Sequence, residues 1–112
     1  MVGKNYIMAV SAADDAIVVP TSRIRTISCA SDSAIIIYCD PGIHDPTGTD
    51  ADADIITLAI TADTEVATLK SLVEQLNAYP HQNGSVLMIC DDVNSVFAHA
   101  NITSCTITRN AI

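Results

Sequence analysis

The spacing of apolar positions opens the chain with short β-type segments. Tyr6-Ile7-Met8-Ala9-Val10 is apolar and β-prone, Ser11 to Ala16 around Asp14-Asp15 reads as a turn, and Ile17-Val18-Val19 runs up to Pro20. Two such runs about a turn predict a hairpin. Proline lacks the N–H a ladder needs, so Pro20 marks a strand end or a sheet edge. Arg23 to Cys29 is the next strand. Its Ile24 and Ile27 break two-residue alternation, and a β-bulge near Arg25-Thr26 would return both to one face. Ala30 to Ser33 is a tight polar turn. Ala34 to Cys39 is apolar on both faces, as a central strand would be, so these two strands predict a second hairpin.

Asp40 to Asp54 is the main irregular stretch, holding two of the four prolines and two of the four glycines. A loop of that length is usually functional or disordered. Ile55 to Thr61 then alternates, with Ile56, Leu58 and Ile60 on one face. A helix is predicted over about 64–78. Val66, Leu69, Val73 and Leu76, with Leu72, form its apolar stripe. Asp63 or Thr64 caps its first N–H groups, Glu65 suits its dipole, and Pro80 stops it. His81 to Gly84 is a turn, and Ser85 to Cys90 is a buried strand ended by Asp91-Asp92. Val93 to Asn101 fits either a short strand or a helical turn, and Thr103 to Thr108 alternates as a closing strand. Consecutive strands before a single helix predict an α+β class. The expectation is one β-rich domain over 1–112, with about six or seven mostly antiparallel strands as a sandwich or rolled sheet. The helix covers one sheet face or plugs the roll.

Composition narrows the function. A chain of 112 residues is one domain by length. Apolar residues at 49% and charged residues at 16% exclude a disordered tail. The net charge of −8, from 13 acids against 5 bases, argues against nucleic-acid binding. It argues equally against docking on an anionic membrane. The longest apolar run, Ala34 to Cys39, is too short to span a bilayer. The apolar stretch Tyr6 to Val10 is too short for a signal peptide and runs into Asp14-Asp15, so synthesis in a cytoplasm without secretion is expected. Aromatic residues at 4%, with no tryptophan, suit neither sugar stacking nor single-stranded nucleic acid.

Candidate chemistry lies in four places. Cys29, Cys39, Cys90 and Cys105 include no CxxC pair. They are expected to be small buried hydrophobes, their spacing being unlike a zinc ligand set. Asp50, Asp52 and Asp54, with Asp40 and Asp45 upstream, offer carboxylates at every second residue, as a hard cation such as calcium would take. An EF-hand is excluded, because Ile55 and Thr61 stand where its glycine and glutamate belong. Asp40 and the pair Asp91-Asp92 follow buried strands, where metal-dependent phosphoryl-transfer enzymes place acids. Yet Lys4 and Lys70 are the only lysines, no P-loop is present, and aspartate ordinarily starts a turn. His44, His81 and His99 accompany no nucleophile elbow, so no catalytic residue is assigned. Arg23 and Arg25, two apart on one strand, are the one local positive spot. They would pair either with aspartates of their own chain or with Asp50, Asp52 and Asp54 of a neighbouring copy.

The opening Tyr6–Val10 and Ile17–Pro20, the pair Ile24 and Ile27, and Asp54–Thr61 before one helix and closing strands form a recognisable layout. It resembles the small β-rich virion proteins of tailed phages, such as head decoration or cement proteins. The resemblance lies in apolar spacing and length and carries over no binding residue. It implies a non-enzymatic protein without cofactor, resident in the virion. Such a protein assembles with itself, often as trimers, on a shell of major capsid protein. Two other readings remain open from the residues: a small metal-dependent enzyme or cation-binding module using the acidic loop, and a small-ligand carrier with a pocket between helix and sheet.

Overall fold

The structure, a computed structural model, describes residues 5–40, 53–77 and 86–109. Both hairpins form as the spacing predicts. Strand β1 (Tyr6–Ala12) pairs antiparallel with β2 (Asp15–Pro20), and β3 (Ile24–Ser31) with β4 (Ala34–Cys39). The bulge is real: Ile24 faces Cys39 and Thr26 faces Tyr38, so Arg25 is the extra residue. Ile24 and Ile27 both pack against the core in consequence. Arg23, however, is not on the strand; it ends a single 3-10 turn, Thr21–Arg23, that follows Pro20. Strand β5 (Asp54–Ile60) alternates strictly, burying Asp54, Ile56, Leu58 and Ile60. Helix α1 (Glu65–Asn77), β6 (Val86–Asp91), β7 (Val96–Phe97) and β8 (Ile102–Thr108) complete the described chain.

The strands form two four-stranded sheets, ordered β2-β1-β6-β7 and β3-β4-β5-β8. The eight described strands exceed the six or seven expected. The two-residue β7 is the piece that the ambiguous 93–101 stretch concealed. β1 and β6 pair in parallel. A parallel partner needs a long crossover, and here it runs through β2, through β3, β4 and β5 of the second sheet, and through the helix before the chain returns beside β1; β8 joins the second sheet only afterwards. The sheets approach most closely where β8 passes β1 and β6. The residues there are small: Ala9, Cys90 and Cys105 are all buried.

Ile7, Ala9, Val19, Ile35, Ile37, Ile56, Leu58, Ile89 and Ile102 belong to one core cluster. The helix lies against β3 and β4 and completes that core with Leu72, flanked by Leu69 and Leu76. Its phase differs from the predicted stripe: Thr68 and Leu72 are buried, whereas Val66 and Val73 are 57% and 43% exposed. Polar anchors set this rotation. Gln75 Nε2 donates to the Ala98 carbonyl at 2.8 Å, and Asn101 Nδ2 donates to the Thr68 hydroxyl at 3.4 Å. At the start of the helix the Thr64 carbonyl accepts the Thr68 N–H at 2.9 Å, the first helical bond, and the Thr64 hydroxyl donates to the Thr61 carbonyl at 2.6 Å. Asp45, Asp50, Asp52 and His44 of the acidic stretch, and Pro80 and His81 of the later turn, lie outside the described residues.

Candidate functional site

Strand alternation gives the β2-β1-β6-β7 sheet an outer face, and the pairing register shows what stands on it. One row across the sheet is Pro20–Tyr6–Val86, and the next is Val18–Met8–Met88. A third runs Ala16–Val10–Asp91–Val96. Apart from Asp91 these positions are apolar, and Tyr6, Val18, Val86 and Val96 are 40%, 51%, 48% and 50% exposed. The helix that covers apolar surface elsewhere lies against the other sheet. A solvated sheet face ordinarily carries polar residues at its outward positions, and this one is apolar instead.

The exception proves harmless to that surface. Asp91 is buried, and its carboxylate accepts the N–H groups of Val93 and Asn94 at 3.0 and 3.1 Å and the Asn94 amide at 3.0 Å. Those bonds, the Asn94 side chain first, hold the carboxyl below its ordinary value despite desolvation. Its charge is thus spent on the turn after β6. The outer face of the second sheet differs: Thr26–Tyr38–Ile55–Thr108 and Ser28–Ile36–Thr57–Thr106 are its rows, rich in hydroxyls.

Arg25 pairs with Asp40 of its own chain, while Asp50 and Asp52 lie outside the described residues. Arg25 Nε stands 2.8 Å from Asp40 Oδ1, and the Asp40 N–H donates to the Arg23 carbonyl at 2.8 Å. Arg23, Asp40 and Asp54 line a cavity of about 100 Å³ with Val19 and Pro20. Asp54 is a buried strand residue rather than a solvated loop acid, opposite Cys39 in the ladder. Burial first, and then the charges of Asp54 and Asp40, push the Cys39 thiol up to about 11. His99 is a turn residue whose Nδ1 accepts the Asn101 N–H at 3.1 Å.

The cysteines divide unexpectedly. Cys29, on the edge strand β3, is exposed, contrary to the expectation that all four are buried; Cys39, Cys90 and Cys105 are buried. Cys90 near the end of β6, Asp92 just after it and Cys105 in β8 converge, their ligand-capable atoms all within 4.8 Å of one another. Cys90 donates its S–H to Asp92 Oδ1 at 3.3 Å, and the Cys105 N–H donates to Asp92 Oδ2 at 3.2 Å. The Cys105 thiol donates to the Val10 carbonyl at 3.5 Å. Burial raises both thiols above their ordinary range. Cys90 and Cys105 sit in different sheets, so it is the stacking of the sheets, not a recognised spacing motif, that brings this group together. Compared with known protein families, curated proteins and solved structures, the chain has no match.

Proposed function

We propose that this protein is a non-enzymatic assembly protein, a virion component of the capsid-decoration kind, that associates with further copies of itself through the outer face of its β2-β1-β6-β7 sheet. The observation that carries the reading is the row structure Pro20–Tyr6–Val86 and Val18–Met8–Met88, apolar throughout and exposed at Tyr6, Val86 and Val18. A second copy is the occupant that fits it. A chain of charge −8 repels its own copies, so self-contact belongs on a face whose one carboxylate among these rows, Asp91, is buried and bonded to its own turn. The polypeptide edges support the same choice. The β3 edge carries the Arg25 bulge and the β2 edge ends at Pro20. Such devices discourage strand-to-strand addition at those two edges. The Arg25–Asp40 pair is satisfied within its own chain and contributes little to association.

Native mass spectrometry over a concentration series tests the self-association. A defined oligomer is expected, dissociating on dilution without loss of fold. A monomer at every concentration would overturn the reading. The virion setting rests on the resemblance in layout, and genomic position tests it: the gene is expected beside one encoding a capsid protein.

A further inference from the structure

We propose that Cys90, Asp92 and Cys105 form a binding site for a soft divalent cation of the zinc class, one that ties the two sheets together. The donor set is two sulfurs and one carboxylate oxygen, delivered by β6, the turn after it, and β8. β6 belongs to one sheet and β8 to the other. Two sulfurs select a borderline or soft ion over calcium or magnesium, which take oxygen.

The spacing fits the ion. In a tetrahedral zinc site with Zn–S of about 2.3 Å and Zn–O of about 2.0 Å, a sulfur and an oxygen lie about 3.5 Å apart and two sulfurs about 3.8 Å apart. Here the Cys90 sulfur is 3.3 Å from Asp92 Oδ1, and all three donors fall within 4.8 Å. The carboxylate is already oriented. Its Oδ2 accepts the Cys105 N–H at 3.2 Å, leaving Oδ1 toward the Cys90 sulfur. Backbone support of that kind fixes a metal ligand before the ion arrives. The thiols are buried while Asp92 is half-exposed, so the carboxylate side is the side from which an ion enters and a water completes the fourth position. On binding, each thiol releases one proton and the two thiolates and the carboxylate ligate the cation; no oxidant takes part.

The test is titration of the reduced full chain with cadmium chloride and zinc chloride. One equivalent of cadmium is expected to produce a sulfur-to-cadmium charge-transfer band of two-thiolate intensity, and zinc is expected to displace it. Cys29→Ser and Cys39→Ser should leave the band intact. Cys105→Ser should weaken binding by more than about 100-fold, and Asp92→Asn, which keeps both thiols, by about 10- to 100-fold. Because a buried cysteine variant can fail to fold, X-ray absorption at the zinc edge of the unmutated protein gives an independent answer: two sulfur neighbours and the rest oxygen. An all-oxygen and nitrogen shell, no band at one equivalent, a band that follows Cys29 instead, or a Cys90–Cys105 disulfide as the species present under reducing conditions would each overturn the proposal.

Discussion

Cys39 shows how one buried side chain writes a pH dependence into the whole protein. Its thiol is pushed up to about 11, against an unfolded value of about 8.5. The folded chain therefore holds this proton more tightly than the unfolded chain does. That contribution is fully present below about pH 8.5 and is lost as pH rises through the folded value. Stability should fall on the alkaline side, and Cys39→Ala should fall less steeply between pH 8.5 and 11 whatever its absolute stability. Urea midpoints across that range measure it; parallel slopes for the two proteins would contradict the assignment. Asp54, across the ladder from Cys39, shows what the sequence could not reveal. Read in its stretch of alternating acids it is a loop carboxylate, but strand phase turns it inward with Ile56 and Leu58. Only the end of β5 decides between the two, and strand ends are weakly marked in sequence.

At the scale of elements, the helix carries the sharpest contrast between pattern and packing. Valines at 66 and 73 score as apolar as any leucine, so spacing alone draws them into the buried stripe. The rotation that buries Thr68 and Leu72 comes instead from anchors on the β7–β8 connection, through Gln75 and Asn101. Long-range partners of this kind leave no local trace. Leu72→Ala should cost about 2–5 kcal/mol, as deletion of a fully buried leucine does, whereas Val73→Ala on the exposed side should cost less than about 1 kcal/mol. Thermal or urea unfolding of the two variants distinguishes the phases, and equal losses would restore the stripe through Val73. The hairpins and the Arg25 bulge were legible because short-range alternation and its one interruption fix them. The β1–β6 pairing was not, since nothing within either strand names a partner so far along the chain. The same limit hid the meeting of Cys90 with Cys105, which depends on how the sheets stack.

The whole molecule combines an acidic surface with one apolar sheet face, and these two properties together decide how it can associate. Repulsion between copies of charge −8 is weakened by salt, while the contact proposed for the Val18–Met8–Met88 rows is apolar. Self-association should therefore strengthen as salt is added, the reverse of what an arginine–aspartate interface would do. A charge placed in the middle of the face should prevent it. Val18 is half-exposed on an edge strand, so Val18→Asp leaves the monomer fold intact. Thr106→Asp, on the outer face of the other sheet, supplies the control for added charge alone. The most direct test is sedimentation velocity of the wild-type, Val18→Asp and Thr106→Asp proteins side by side. The predicted result is one oligomer shared by wild type and Thr106→Asp, with Val18→Asp a folded monomer; an oligomer that survives Val18→Asp, or a wild type that never leaves the monomer, would contradict it.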